Sequence, residues 1–411
     1  MDYRDPIYGF VSTTQVEQAV IDTIPFWRLR RISQLGPTNL VYPTANHTRL
    51  EHSLGVLQAS SDLLTHLLQS EENRQVLGWS SDEITLARSL LRLAALLHDV
   101  GHAPFSHAAE KLFPNDQHHE DYTYRIITES NIGETIDSEL GDGVSTRVAE
   151  ISVSRGKNAM DAFLSELLTG DIGTDRVDYL SRDSYHLGVA YGRFDRHRLF
   201  NTLFIRHNPD KGGPELALEY GGLHAVEGFL LARYFMFVDV YFHKTRRILD
   251  HHLGQFLASW LPDGKFPSEL DAFLELDDPY VQFEIGKSRS RHAESLSRRS
   301  FFRSSFETVD HPSAAELVAF NWLARDVVSE FGVVNVVIDE AEKDPYSYSQ
   351  PPIFVRTPSG FRSLAEVSPL LSNLETIRKK RIYSDEAVRE DVRNFCHRKW
   401  NENLSGSGIS G

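Results

Sequence analysis

Residues 90–107 read LLRLAALLHDVGHAPFSH, the clearest structural signal in the chain. Leucine and alanine fill seven of the first eight positions, which predicts a helix that is apolar on most faces and therefore buried. Gly101 and Pro104 then end that helix. A charged carboxylate at Asp99 in such surroundings is strongly destabilising unless it is paired or coordinates a metal. The stretch therefore predicts a central helix that carries His98 and Asp99 to a polar site at its end.

Histidines cluster around this helix. Eight of the 18 histidines lie within residues 47–119, where an even spread would place about three. Two further ligands for a metal are available, because His52 and Asp175 each lie at or near the start of a predicted helix. Mixed nitrogen and oxygen donors of this kind suit Mn, Fe, Zn, Co or Ni better than Ca. The competing interpretation, buried polar residues that cap helices, explains the whole pattern less well.

Composition limits the class of protein. The 411 residues carry 43 Lys and Arg against 58 Asp and Glu, a formal charge of −15. Net acidity argues against a nucleic-acid partner, because that affinity comes from cations that neutralise phosphates. The single cysteine, Cys396, excludes an intramolecular disulfide and a cysteine zinc site. Without a membrane-length apolar stretch or an apolar leader, the sequence predicts a cytoplasmic protein with no membrane contact.

Hydrophobic periodicity predicts a mainly α fold. Helices are expected over residues 50–68, 84–98, 119–129, 161–169 and 176–185, with one long amphipathic helix over 222–260. A β-hairpin is expected from 203–205 and 216–220, and further strands at 333–339 and 353–355. We therefore expect a helical core over residues 1–200, and a segment 201–330 with the hairpin and long helices that complete the active site and an oligomer interface. A small C-terminal α+β region over 331–404 and a flexible tail over 405–411 follow.

The motifs around these residues resemble one family. They are Asp5-Pro6-Ile7-Tyr8-Gly9, Gln34-Leu35-Gly36, and residues 47–55, 98–107, 119–120, 175–188 and 233–244. Together they resemble the HD phosphohydrolase superfamily, and more closely its deoxynucleoside triphosphate (dNTP) triphosphohydrolases of the sterile-alpha-motif/HD and bacterial dGTPase-like type. The resemblance implies an HD-domain helical core and hydrolysis of dNTP, dGTP included, to deoxynucleoside and inorganic triphosphate. It also implies a metal-ligand set of His52, His98, Asp99 and Asp175.

The resemblance further assigns roles to individual residues. Phosphate contacts are implied for Arg49, His102, His107 and Arg176. Catalytic roles are implied for the metal ligand Asp99, for His107, and for His119 as general acid with Glu110 and Glu120 as neighbouring carboxylates. Sugar contacts are implied for Gln34, Tyr179 and Asp183, with Leu35 beside Gln34. A helix that covers the substrate is implied to contribute Arg233, Tyr241, His243 and Lys244.

Other implications concern assembly and regulation. The resemblance implies a homo-oligomer, either a dimer, a tetramer or a hexamer, and it leaves open a nucleotide activator and Mg²⁺ on the triphosphate. Because only four residues precede Asp5, we expect no sterile-alpha-motif domain. Two positions of the covering helix depart from relatives, with Phe237 in place of histidine and Asp239 in place of a basic residue.

Two other functions stay open at this point. One is a phosphohydrolase of the same superfamily acting on another nucleotide, a dNMP or a signalling nucleotide, because a fold does not determine its substrate. The other is a catalytically silent HD regulatory protein. Outside the motifs we expect structural roles: a solvated or interface face is predicted for Arg182, Arg193, Arg196 and Arg198, and core or subunit interface for the aromatic residues 234–237.

Overall fold

The computed structural model describes residues 1–210, 212–344, 346 and 352–406. Its helices are α1 (Gln15–Ile21), α2 (Ile24–Trp27), α3 (Arg49–Gln69), α4 (Glu71–Leu77), α5 (Ser81–Leu97), α6 (His119–Glu129), α7 (Asn131–Leu140), α8 (Val144–Ser152), α9 (Ala159–Thr169), α10 (Thr174–Leu187), α11 (Arg196–Asn201), α12 (Leu223–Phe235), α13 (Lys244–Trp260), α14 (Leu270–Leu274), α15 (Asp278–Lys287), α16 (Arg291–Arg298), α17 (Ala314–Phe331), α18 (Leu364–Val367), α19 (Pro369–Ser372) and α20 (Arg389–Gly406). Its strands are β1 (Asp2–Asp5), β2 (Gly9–Ser12), β3 (Leu203–Asn208), β4 (Gly213–Glu219), β5 (Arg303–Glu307), β6 (Val336–Lys343), β7 (Phe354–Thr357), β8 (Gly360–Ser363) and β9 (Ile377–Ser384). The fold is mainly helical, as predicted.

Helix α5 is buried at the centre of the helical core. A capping box between Ser80 and Glu83 fixes its N-terminus. Its second half is buried because α3, α8 and α9 pack around it. The helix ends at Leu97, and a tight turn carries the next residues toward the start of α6. Glycine is required at position 101 of that turn, because a Cβ there would lie 2.2 Å from the carbonyl oxygen of His119.

Two further helices complete the frame of the site. Helix α3 lies between α5 and α10 and contacts both. Helix α10 begins directly after Gly173. In its first turn, Oδ1 of Asp175 lies 3.6 Å from Nε2 of His98 at the end of α5. The ends of three helices therefore converge on one point, in keeping with the predicted core.

Three small sheets flank the helices. Strands β1 and β2 form an antiparallel hairpin at the N-terminus that the sequence analysis did not predict. The predicted hairpin is confirmed as β3 and β4, and β4 pairs in parallel with β7 in a sheet ordered β3-β4-β7-β8. The third sheet has the order β5-β9-β6 and is antiparallel throughout.

The sheet β5-β9-β6 has a small apolar core of its own. The buried residues of that core are Phe320, Leu323, Val327, Val336, Ile382, Val392 and Cys396. They come from α17, β6, β9 and α20, so the C-terminal α+β unit begins before the expected boundary at residue 331. The main core, in contrast, runs from Val11 to Tyr383 without a break at residue 200.

The long helix predicted over 222–260 is wrong in one respect. The chain forms α12, then a π-helical turn over Met236–Tyr241, then a separate helix α13. The break occurs because the side chain of His243 accepts a hydrogen bond from the backbone N–H of Thr245 and so caps a new helix.

The remaining predictions concern the ends of elements and the tail. The strands predicted at 333–339 and 353–355 are present but shifted, as β6 and β7. Helix α20 runs to Gly406, and residues 407–411 of the expected flexible tail lie outside the described residues. Among the helices of the described residues, none combines the length and apolar character that a membrane span requires.

Candidate active site

The four predicted metal ligands meet at the ends of α3, α5 and α10. Nε2 of His52 lies 3.0 Å from Oδ1 of Asp175 and 3.4 Å from Oδ2 of Asp99. Nε2 of His98 lies 3.2 Å from Nε2 of His52, 3.5 Å from Asp99 and 3.6 Å from Asp175. Donor atoms that share one ion at about 2.1 Å stand roughly 3.0–3.4 Å apart. His52, His98 and Asp99 thus form a group whose donor atoms lie close enough together to hold one divalent metal ion, and Asp175 lies against both imidazoles.

The two imidazoles are oriented by bonds at their far nitrogens. Nδ1 of His52 lies 2.7 Å from Oδ2 of Asp178, and Nδ1 of His98 lies 2.8 Å from the carbonyl oxygen of Ala95. Both partners are acceptors, so each Nδ1 carries the proton and each Nε2 presents a lone pair. This arrangement of a ligating histidine with an acceptor behind it is typical of metal sites.

Asp178 belongs to a buried ion network behind the metal ligands. Its two carboxylate oxygens accept hydrogen bonds from Nε and Nη2 of Arg182, each at 2.9 Å, and Nη1 of Arg182 lies 2.9 Å from Oδ2 of Asp5 on β1. Asp178 and Arg182 are fully buried. The solvated or interface face predicted for Arg182 is therefore wrong, because the hairpin β1-β2 and α3 cover this side of α10.

A glycine in α3 makes room for this network. A Cβ at Gly55 would lie 2.0 Å from Oδ1 of Asp178 and 2.1 Å from Nη2 of Arg182. The absence of a side chain at position 55 thus lets the carboxylate reach His52 from behind. The sequence signals for the network were the spacings of three residues from Asp175 to Asp178 and of four from Asp178 to Arg182.

The electrostatics of the four ligands fit a divalent cation. Burial alone would lower the pKa of His52, but its hydrogen bonds with Asp175 and Asp178 and the charge of Asp99 outweigh burial and raise that pKa to about 10. A site that draws a proton onto a buried imidazole so strongly has the negative potential that a metal ion needs, and metal binding displaces that proton. Arg49 donates to Asp99 and to Oγ of Ser106, the second bond at 2.9 Å, and so orients a ligating carboxylate.

A histidine–glutamate group lies beside the metal ligands. The rings of His119 and His102 stack with centroids 3.9 Å apart, and Nε2 of His102 lies 3.3 Å from Oδ1 of Asp99. Glu110 accepts the backbone N–H of His119 at 3.1 Å and lies 3.0 Å from its Nδ1. His107 completes the group, with Nδ1 3.4 Å from Glu110. Glu110 thus fixes the ring of His119 and leaves Nε2 for a substrate.

The pKa values of the three histidines in this group are shifted in different directions. Burial alone would lower the pKa of His119, but Glu110, with smaller effects from Glu120 and Asp99, outweighs burial and raises it. Burial, aided by the charge of Arg49, lowers the pKa values of His102 and His107. Of these three histidines, His119 is the one whose pKa is raised, which is the direction that suits a general acid.

Replacing Glu110 by glutamine should move the alkaline limb of the pH–rate profile to lower pH. An acid of raised pKa is active below that pKa and loses activity as the pH rises through it, and removing the carboxylate charge lowers the pKa of His119. Steady-state rates between pH 6 and pH 10 on E110Q and wild-type protein test this. Replacement of the half-exposed Glu120 by glutamine is the matched control, with a smaller shift expected, and an unmoved limb in E110Q would contradict the assignment.

The residues predicted to contact a sugar line one cleft of about 460 Å³ together with the metal ligands His52, Asp99 and Asp175. Oδ2 of Asp183 accepts the hydroxyl of Tyr241 at 2.6 Å, and Oδ1 lies 2.8 Å from Nε2 of His47. Gln34 is buried, and its Oε1 has no hydrogen-bond partner among the described residues. Tyr179 and Leu35 line the same cleft. These groups form a fixed polar wall that suits a hydroxyl-bearing ligand.

Six cationic side chains from distant parts of the chain also line this cleft. Arg49, Arg176 and Arg233 were predicted, whereas Arg246, Arg247 and Lys343 were not. Arg247 is held by Asp339 of β6, with Nε 3.1 Å from Oδ1. The C-terminal unit therefore contributes to the cleft, which no local motif indicated.

Three predicted positions differ in the structure. His243, implied to belong to the helix that covers the substrate, instead caps α13 and is not among the residues that line the cleft. Lys244 lies outside the cleft, exposed at the start of α13, where it lines a separate cavity of about 740 Å³ with Arg303 and Tyr383. The helix break before α13 explains this, because the residues one turn later face the cleft instead. Phe237, predicted as core or interface with its aromatic neighbours, lines the cleft.

Comparison with known proteins indicates the family of this chain. The HD domain model matches residues 49–182, and the HD associated region model matches residues 194–401. The uncharacterized protein YwfO of Bacillus subtilis is 30% identical over 92% of this chain and 89% of its own length. The deoxynucleoside triphosphate triphosphohydrolase SAMHD1 homolog of Dictyostelium discoideum is 29% identical over 72% of this chain and 54% of its own length.

A solved structure extends the agreement to the whole chain. The crystal structure of a hypothetical protein from Aquifex aeolicus gives a TM-score of 0.84 at 36% identity, covering 96% of this chain and 99% of that one. The likeness thus includes the C-terminal unit as well as the helical core. The chain belongs to the HD-domain family, in the group that includes the deoxynucleoside triphosphate triphosphohydrolases, and is a metal-dependent phosphohydrolase.

Proposed function

We propose that the protein hydrolyses dNTP, with dGTP among its substrates, to deoxynucleoside and inorganic triphosphate. The observation that carries the proposal is the joint lining of one cleft by the metal ligands, the polar wall of Asp183 and Tyr241, and the cations Arg49, Arg176 and Arg233. A triphosphate carries about four negative charges, for which planar arginines are suited donors. Three relatives at 28–31% identity, the Dictyostelium protein among them, bear the name of that activity.

The residues support a displacement at the α-phosphorus. When bound, a divalent metal supplies Lewis acidity toward a phosphoryl oxygen and lowers the pKa of a coordinated water. Arg49 lies beside Asp99 and is placed to neutralise charge on the reacting phosphate. A water oxygen bonds the α-phosphorus and releases a proton to solvent as the P–O5′ bond breaks, and Nε2 of His119 gives its proton to the departing 5′-oxygen. Glu110 stabilises the cationic ring of His119 before that step.

Product analysis tests the proposal directly. Each dNTP, the matching NTPs, the dNMPs and a cyclic dinucleotide are incubated singly and as dNTP mixtures with Mn, Mg, Fe or Co, and products are separated by anion exchange. Release of deoxynucleoside and inorganic triphosphate is the expected result, and mixtures reveal a nucleotide activator. Cleavage of a monophosphate or a cyclic dinucleotide with every dNTP left intact would overturn the choice of substrate and leave the metal site standing.

Replacing Asp183 by asparagine should abolish recognition of the sugar 3′-hydroxyl. A hydrogen bond to a charged acceptor is worth about 1.5–3 kcal/mol, which corresponds to roughly 10–100-fold in kcat/KM. Wild-type protein should therefore prefer dNTP over 2′,3′-dideoxy-NTP by that factor, and D183N should lose most of the preference. Equal discrimination in both proteins would show that Asp183 does not contact the sugar. Metal content, measured on the same samples, should be unchanged.

A further inference from the structure

Lys343 enters the cleft from a part of the chain that the HD motifs do not reach. It is the last residue of β6, which pairs with β9 in the C-terminal sheet. Its side chain lines the cleft beside Arg176 and Arg233, although much of the residue stays exposed to solvent. An exposed lysine without a role ordinarily extends into water, so its position beside two arginines needs a cause.

The charges around Lys343 indicate an anion. Although the residue as a whole is exposed, its ammonium group lies against Phe237, and desolvation there, followed by the charges of Arg233 and Arg176, lowers the pKa of Lys343, while Asp344 acts in the opposite direction. Three cations close enough to affect each other destabilise the empty cleft, and a polyanion placed between them reverses the sign of that interaction. A chain of phosphates, with one or more charges on each group, is the ligand chemistry that this arrangement suits.

An aromatic ring holds two of these cations in place. The guanidinium carbon of Arg233 lies 5.5 Å from the centroid of Phe237, and Nζ of Lys343 lies 5.4 Å from the same centroid. Both distances are within the range of cation–π attraction. Phe237 is itself packed edge-on against Tyr241 and Phe242, with centroids 4.9 and 5.7 Å away. The ring thus connects Arg233 of α12 to Lys343 of β6.

The two ends of the cleft have different cations. Arg49 bonds Asp99 among the predicted metal ligands, while Lys343 and Arg233 both lie against the ring of Phe237. If the α-phosphate occupies the metal end, Lys343 is placed for phosphates farther along the chain. We propose that Lys343 is a fourth phosphate-binding cation, beside Arg49, Arg176 and Arg233, that contacts the terminal phosphates of a nucleoside triphosphate, and that Phe237 is the residue that positions it. This inference rests on the proposed dNTP function.

Binding of inorganic polyphosphates tests the inference without turnover. Metal-loaded full-length protein is titrated with tripolyphosphate, pyrophosphate and phosphate in excess Mg²⁺, and affinities are measured by calorimetry. Wild-type protein should bind tripolyphosphate at least about tenfold more tightly than pyrophosphate, and K343A should lose that difference, as expected for one charge-assisted contact. K287A, at an exposed lysine of α15, is the matched control and should bind as wild type does.

The positioning role of Phe237 has its own variants. F237L should reduce the preference for tripolyphosphate, and F237Y, which keeps the ring, should restore it; the same variants should change KM for dNTP more than kcat. Equal weakening of all three anions in K343A, or none, would overturn the inference while the proposed function stands. If wild-type protein itself binds tripolyphosphate no better than phosphate, it is the triphosphate function that fails.

Discussion

Replacing Asp99 by alanine is expected to lower turnover by about a thousandfold or more. Metal catalysis contributes several kcal/mol of transition-state stabilisation, and each 1.4 kcal/mol corresponds to about tenfold in rate. Asp99 has two roles that alanine removes together: it lies within 3.5 Å of Nε2 of both His52 and His98, and it orients Arg49. The measurement is kcat with saturating metal, together with metal content by elemental analysis.

The design separates loss of metal from loss of structure. D99N keeps the shape of the side chain and removes the charge, so it should lose activity nearly as fully as D99A while unfolding like the wild type. D62A, at an exposed aspartate of α3 whose side chain accepts a hydrogen bond from Gln58, is the matched control and should keep full turnover. Retention of metal and of substantial turnover in D99A would show that the four-residue site is misassigned and that the reaction uses another centre.

The metal ligands were predictable because each lies in a local pattern. His98 and Asp99 follow the most apolar helix of the chain, and a buried carboxylate without a role is costly. His52 and Asp175 could be added from their places at helix starts, and the resemblance fixed the set. In the structure Asp99 and Asp175 each lie within 3.6 Å of both His52 and His98, and the ligand set itself stays a prediction. Local sequence was informative here because a charged side chain at the end of an apolar helix is destabilising unless it is paired or binds a metal.

Residues whose role depends on distant contacts could not be predicted in the same way. Arg182 and Asp178 form an i,i+4 pair, which on most helices is a solvated surface pair. Only the cover provided by β1 and α3 makes this pair buried. Lys343 likewise lies on an alternating strand whose register and neighbours are set by β9, and nothing in its local sequence indicates a cleft.

The break between α12 and α13 illustrates a third limit. Residues 236–243 contain neither glycine nor proline, the usual signals of a helix end. The break depends instead on the side chain of His243, which accepts a hydrogen bond from the backbone N–H of Thr245 and caps α13. Its consequence is functional, since the π-helical turn presents Phe237 and Tyr241 to the cleft and removes Lys244 from it.

Replacing Arg182 by methionine is expected to destabilise the fold by about 3–5 kcal/mol, because it leaves the carboxylate of Asp178 buried with an incomplete set of partners. Methionine fills similar space without charge, so the loss measures the ion network and not a cavity. Urea unfolding followed by circular dichroism, with metal removed by a chelator, gives the change in the free energy of unfolding. R182K should be intermediate, since an ammonium group cannot reproduce the two parallel bonds to Asp178 and the third contact to Asp5.

A second substitution tells whether the buried charge is the cause. If the unpaired carboxylate is what destabilises R182M, neutralising it in R182M/D178N should recover part of the loss, so the double variant should be more stable than R182M. Metal affinity should depend on the same network. Both variants should bind the metal about 10–100-fold more weakly, because His52 loses an oriented, charged acceptor at its Nδ1. A double variant no more stable than R182M would assign the loss to packing of the arginine stem instead. If R182M/D178N recovers stability but not metal affinity, the carboxylate of Asp178 serves to orient His52 and not to stabilise the fold.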